Sequence, residues 1–159
     1  MNFDQAFHQL LGHEGSFVDH PADPGGATMW GITERVARAN GYKDHMRDLP
    51  VALAKQIYRA SYWDAVQADQ LPAPVRYSVF DAAVNSGVSQ SVKWLQRALG
   101  VSDDGAIGPK TLAAAQAVDG HVLKAKMLGT RLQFMSDLPT WPSFGRGWAR
   151  RVASLLVQP

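Results

Sequence analysis

The chain has no cysteine among its 159 residues, which excludes a disulfide framework and any thiolate metal site. The same absence lets the protein work in an oxidising or a reducing compartment. No apolar run reaches the roughly 18 residues that a membrane-spanning helix needs. The opening MNFDQAFHQLLGHEG lacks the basic n-region and apolar h-region of a secretory signal, so export, if the substrate lies outside the cytoplasm, falls to another component. Charge is sparse at 19%, and acid is scarcest at one end: residues 121–159 hold Asp137 alone against six Lys/Arg, whereas residues 1–120 hold 13 Asp/Glu against ten Lys/Arg. A body of −3 is thus joined to a tail of +5. That tail suits either a solvated cationic helix or contact with an anionic partner. No nucleic-acid-binding motif accompanies it, so nucleic acid is not an expected partner.

What is present is ordinary globular composition, 46% hydrophobic, in a length that makes one domain over residues 1–159 and buries a core without staples. Phe3, Phe7, Leu10 and Leu11 share one helical stripe that Asn2 or Asp4 caps and Gly12 ends. Turn residues from Phe17 to Thr33 surround short segments that suit a small β-hairpin or an ordered loop. Thr33 caps a short helix ending at Asn40-Gly41. VALAKQIYRASYW reads as a helix with Leu53, Ile57 and Ala60 inward. Pro74 opens VRYSVFDAAVNSG, apolar nearly all round and therefore the expected central helix. Further helices are expected from Ser89, from Pro109, over 120–138, and over GWARRVASLLV, where Trp148, Val152, Leu155 and Leu156 form one apolar stripe. The expected class is α+β: mainly helical, with one small hairpin after the first helix.

The chemistry concentrates in GHEGSFVDHPADPGGATMWGIT, residues 12–33, which places Glu14, Asp19 and Asp23 in one irregular segment. Glu14 follows a helix C-terminus, where the macrodipole disfavours an ionised carboxylate, and apolar neighbours such as Phe17 or Trp30 push the same way. A carboxyl kept protonated near neutral pH suits proton donation to a glycosidic oxygen. Its partner is an ionised carboxylate, with Asp23 the first candidate and Asp19 the second. The bland alternative makes both aspartates turn formers beside proline and glycine. His13, Glu14, Asp19 and His20 lack the helical spacing of a zinc peptidase, and Gly25-Gly26 has no following Gly-Lys-Ser/Thr, so no metal and no other cofactor is expected.

This stretch, together with IYRASYWD (57–64), FDAAVNSG (80–87), WLQRALGVSDDGAIGPKTLAA (94–114) and FGRGWARR (144–151), resembles glycoside hydrolase family 108. These are peptidoglycan-cleaving lysozymes found as phage endolysins and in related bacterial enzymes. The blocks stand in the family's order and cover nearly the whole chain. Ser16 replaces a common second glycine, and Phe17 a frequent tyrosine. The resemblance implies a lysozyme-like fold with Glu14 as the essential acid. The set Glu14, Asp23 and Thr28 is also similar to the Glu, Asp and Thr of phage-type lysozymes, with the Asp-to-Thr interval shorter by one residue. WLQRALGVSDDGAIGPKT is similar to small peptidoglycan-binding modules, giving an embedded helix-turn-helix over 90–117 in which Asp104-Gly105 supplies the turn and Gly108-Pro109 the next helix start.

Trp30 and Tyr62 are the aromatic candidates for stacking on sugar rings, with Trp63 assigned to packing. Asp81 and Asn85, one turn apart, either brace the catalytic loop or line the cleft; Asn85 joins Trp30 and Tyr62 as a substrate-binding candidate. The function implied is an endolysin-type N-acetylmuramidase. A lytic transglycosylase and a non-catalytic peptidoglycan-binding protein are the alternatives. Expected partners are peptidoglycan glycan strands and, through Arg146, Arg150 and Arg151, anionic outer-membrane components. A monomer is expected, made in the cytoplasm of the producing or infected cell and acting on the wall after release or export.

Overall fold

Residues 1–12, 16–19 and 26–159 are described by the structure, a computed structural model. The chain divides into two units, Asn2–Tyr62 and Trp63–Pro159.

The N-terminal unit opens with α1 (Phe3–Leu11). Asn2 Oδ1 accepts the Gln5 N–H at 3.0 Å while Gln5 Oε1 accepts the Asn2 N–H at 2.9 Å, a reciprocal capping box that fixes where the helix starts. Phe3, Phe7 and Leu10 are buried along one face. Strands β1 (Thr28–Met29) and β2 (Ile32–Thr33) pair antiparallel, Thr28 opposite Thr33 and Met29 opposite Ile32. Their two-residue turn, Trp30-Gly31, has φ of 55° and 74°, the left-handed pair that matches the twist of so short a hairpin. Thr33 Oγ1 then accepts the Val36 N–H and starts α2 (Glu34–Ala39), as its sequence position predicts.

A 3-10 turn at Met46–Asp48 leads to α3 (Val51–Tyr58), which buries Ala54, Ile57 and Tyr58. The expected continuation to Trp63 is instead a π-helical turn over Arg59–Trp63. More residues per turn rotate the stripe, so Ala60, expected inward, is exposed, whereas Trp63 is fully buried.

The C-terminal unit contains α4 (Ala73–Ser86), α5 (Val88–Leu99), α6 (Pro109–Gln116), α7 (Gly120–Ser136) and α8 (Trp141–Leu156). As its apolar composition predicts, α4 is the central helix: it packs on α5 and α7, and every residue from Tyr77 to Ala83 is buried. Gln96, itself buried, joins α5 to the following turn. Its Nε2 donates to Asp104 Oδ1 (2.8 Å), the Ala106 carbonyl (3.0 Å) and Thr111 Oγ1 (3.1 Å), and its Oε1 accepts the Gly105 N–H (2.9 Å).

Helix α8 starts at Trp141 rather than at Gly147, because Pro142 is a favoured first-turn residue. Gly145 is buried beneath the Trp141 ring, where a Cβ would come within 2.4 Å of ring atoms. Only part of the expected α8 stripe packs: Val152 and Leu155 are buried, whereas Leu156 is 48% exposed. Consecutive helical residues stand about 100° apart, so Leu156 falls at the margin of the face that Val152 and Leu155 bury.

Candidate functional site

Two of the expected site residues, Glu14 and Asp23, lie outside the described residues; Thr28, Trp30, Tyr62 and Asn85 lie within them. Thr28 is tied to the chain ten residues before it. Its N–H donates to the Val18 carbonyl at 2.7 Å, and its carbonyl accepts the Val18 N–H at 2.9 Å. The hydroxyl reaches the same Val18 oxygen at only 3.5 Å, the long limit of a hydrogen bond, so the backbone holds Thr28 and the side chain contributes little. One residue earlier, Phe17 lies under the Arg47 guanidinium, 4.3 Å from ring centroid to Cζ, a cation–π contact that anchors the described stretch 16–19. Asp19, the second-choice carboxylate, is exposed.

Trp30 accounts for its own unusual backbone. Its indole N–H donates to the Leu49 carbonyl at 2.8 Å, and its carbonyl accepts the Tyr58 hydroxyl at 3.2 Å. A bulky residue at positive φ is costly, and these two bonds hold it there. With the N–H committed to the scaffold, the half-buried ring has no free donor to offer. The buried ring of Tyr58 stands 5.7 Å from Phe7 on one side and 5.7 Å from Tyr62 on the other. Tyr62 is half-buried within the π turn, an irregularity that helices commonly reserve for functional positions. Tyr58 therefore connects Trp30 and Tyr62 within the N-terminal unit, and Thr28 lies on the hairpin strand that precedes Trp30.

Asn85 belongs to the C-terminal unit, where it is exposed, donates to the Asp81 carbonyl at 2.7 Å, and lines a cavity of about 600 Å³. Asp81 has a partner on each of two other helices. Its Oδ2 accepts from Arg131 Nη1 on α7 at 2.7 Å, and its Oδ1 from Arg151 on α8, Nη2 at 2.8 Å and Nε at 2.9 Å. Asp81 and Arg131 are almost wholly buried, so this ion pair ties α4 to α7 and α8. Arg151, expected among the surface cations of the tail, is half-buried and paired with Asp81, while Arg146 and Arg150 are exposed.

Tyr58 and Arg131 were not nominated from the sequence. The signal for Arg131 was available: it falls three residues after Leu128 and four before Met135, a charge on the apolar face of α7 that calls for a buried counter-charge. Tyr58 gave no signal of its own, since its hydroxyl partner lies 28 residues away. Among the described residues no group of three His, Asp or Glu side chains is placed to hold a metal, and no helix is long and apolar enough to cross a membrane.

Elsewhere, hydrogen bonds to carboxylates act as expected. Asp104 is held below the usual carboxylate range, first by the Ala106 N–H and then by Gln96. Asp119, the cap of α7, is held low by the Val122 and His121 N–H groups.

Two mainly helical units with, among the described residues, one two-stranded hairpin define an α+β, lysozyme-like fold. Residues 7–87 match the family described as Glycosyl hydrolase 108, and residues 90–153 match a family described as Predicted Peptidoglycan domain. The chain belongs to glycosyl hydrolase family 108. It is also similar to the solved structure of Brucella abortus SagA, with 39% identity over 97% of this chain and 91% of that one, and a TM-score of 0.85. No curated protein sequence matches it. The hydrolase-family match runs on to Gly87, so α4 lies within it although α4 packs in the C-terminal unit. The protein is thus a glycoside hydrolase, and its two matched segments together make it a peptidoglycan hydrolase.

Proposed function

We propose that the protein is an N-acetylmuramidase that hydrolyses the β-1,4 bond between N-acetylmuramic acid and N-acetylglucosamine. In this reading Glu14 protonates the glycosidic oxygen, Asp23 positions a water or stabilises the oxocarbenium-like transition state, and Thr28 helps hold that water. The observation that carries the reading is the Val18–Thr28 bridge. It ties together the described ends of the segment whose sequence contains Asp23, and acid–base chemistry on a glycan requires its groups to be held on such a fixed frame. Trp30 and Tyr62 supply ring faces for sugars on the same unit.

Mass spectrometry of soluble products from purified peptidoglycan tests the proposal. Reducing N-acetylmuramic acid ends are expected from the wild type, with Glu14→Gln slower by about 100- to 10,000-fold. Products with 1,6-anhydro ends would replace hydrolysis by transglycosylation, with the same acid and no need for Asp23. If Glu14→Gln kept wild-type turnover, the mechanism would fail outright.

The biological reading is lysis of a bacterial host by an enzyme released from the cytoplasm into the wall compartment. Directing the wild type to the periplasm is expected to lyse a culture, and Glu14→Gln is expected not to. Contact with anionic outer-membrane components would use Arg146 and Arg150, because Arg151 is bonded to Asp81. Changing those two to Gln is expected to lower killing of intact cells while sparing hydrolysis of purified walls.

A further inference from the structure

One short stretch of the N-terminal unit, residues 45–49, meets the acidic segment at two separate points. The Arg47 guanidinium carbon lies 4.3 Å from the centre of the Phe17 ring, and the His45 ring stands 6.1 Å from the same ring. Two residues beyond Arg47, the Leu49 carbonyl accepts the Trp30 indole N–H at 2.8 Å. In the sequence Asp23 lies between Phe17 and Trp30, and Glu14 lies between the end of α1 at Leu11 and Phe17. Both carboxyl residues are thus flanked by held positions, and Phe17 is common to the two intervals. The Val18–Thr28 bridge closes the longer interval from within.

The stretch serves as a fixed point because it is itself tied down from several directions. Met46 and Leu49 are buried and anchor it in the core. The Tyr42 hydroxyl donates to the His45 carbonyl at 2.9 Å, and Arg38 Nη1 donates to the carbonyls of Tyr42 (3.0 Å) and Asp44 (2.7 Å). Within the turn, His45 Nδ1 accepts the Arg47 N–H at 3.1 Å and the His45 carbonyl accepts the Asp48 N–H at 2.9 Å, which fixes the backbone from which Arg47 extends. Among the described residues no carboxylate pairs with Arg47, so its contact with Phe17 is not the by-product of an ion pair.

Proton donation to a glycosidic oxygen depends on placement, and a displacement of about 1 Å that originates far from the chemistry costs about 100-fold. A side chain that touches no substrate therefore governs the rate through the backbone it holds. We propose that residues 45–49 are a positioning element for hydrolysis: Arg47 on Phe17 and the Leu49 carbonyl on Trp30 set where Glu14 and Asp23 stand. The proposal rests on Glu14 and Asp23 being the reacting carboxyls, and it makes Arg47 a positioning residue.

The test is steady-state hydrolysis of solubilised peptidoglycan glycan strands by the full chain, at a temperature well below Tm. Arg47 is exposed, so replacing it leaves the core intact. Arg47→Met keeps the apolar stem and removes the charge, whereas Arg47→Lys keeps a cation for the ring. Arg47→Met is expected to lower kcat about ten-fold or more with KM within about two-fold of wild type, and Arg47→Lys to recover most of that loss. Phe17→Leu removes the ring from the same contact. It is expected to lower kcat similarly, and the double variant to be no slower than the slower single one.

An unchanged kcat in Arg47→Met would overturn the proposal, whatever happened to Tm. So would a raised KM at unchanged kcat, which would make Arg47 a contact for the glycan itself. Additive losses in the double variant, or a loss that Arg47→Lys did not reverse, would equally remove the cation on the Phe17 ring as the cause. Fragment release by the wild type and by Glu14→Gln is measured alongside. Its absence from the wild type counts against the hydrolase reading, whereas an active wild type matched by Arg47→Met counts only against the positioning element.

Discussion

The two units are held together by different means. In the N-terminal unit the expected chemistry rests on aromatic rings and backbone hydrogen bonds: Phe7, Tyr58 and Tyr62 in a row, Trp30 pinned at both its N–H and its carbonyl, and Thr28 bridged to Val18. The C-terminal unit instead encloses charge and amide, in the Asp81–Arg131–Arg151 cluster and the Gln96 network. The difference teaches where polar groups are spent. Buried ion pairs fix one helix arrangement at a high desolvation cost, which suits a support. Rings and backbone near a proton-handling site carry no charge near neutral pH and so add no fixed ion beside it.

The largest effect that sharpens this contrast is functional. Glu14→Gln is expected to remove about 100- to 10,000-fold of hydrolysis, measured as fragment release from purified walls. Next is Asp81→Ala, which leaves two guanidinium groups without their shared carboxylate. Breaking a buried pair costs about 3–5 kcal/mol, or roughly 6–20 °C in Tm for a chain of this size. Thermal unfolding that did not change would remove the ion cluster from the account of the C-terminal unit, and adding Arg131→Met is expected to recover part of the loss.

A smaller effect belongs to Tyr58→Phe, which removes the bond to the Trp30 carbonyl and is expected to cost about 1 kcal/mol by chemical denaturation. An unchanged midpoint would mean that the indole bond to Leu49 alone suffices for the turn. The smallest is a change of slope with pH. Asp104 has its carboxyl held below the ordinary value, so its contribution is complete above the usual unfolded pKa of about 3.9 and disappears as pH falls through the lower folded value. Asp104→Asn is expected to flatten the acid limb of the stability curve below about pH 4, and a limb of unchanged slope would show that other carboxylates dominate there.

Much of the frame was legible in the chain. Asn2, Thr33 and Pro74 gave helix starts, Gly12 and Gly100 gave ends, and the almost uncharged run from Tyr77 to Ala83 gave the central helix. These features are local, decided within one or two turns of backbone. The misplacements have local causes too: the π turn at Arg59–Trp63 moved Ala60 outward, and Pro142 started α8 at Trp141, earlier than the expected Gly147. Among the candidate site residues, Thr28, Trp30 and Tyr62 were reached through motif and residue type.

The sequence by itself determined the family, the helical frame with its hairpin, and the acidic segment around Glu14, because caps, turn residues and motif blocks act over short separations. Only the tertiary structure decided that Tyr58 would pin Trp30 across 28 residues and that Asp81 would reach Arg131 across 50 and Arg151 across 70. The reason is physical: a buried polar group takes whichever partner the packed helices bring to it, and sequence separation carries no record of that encounter.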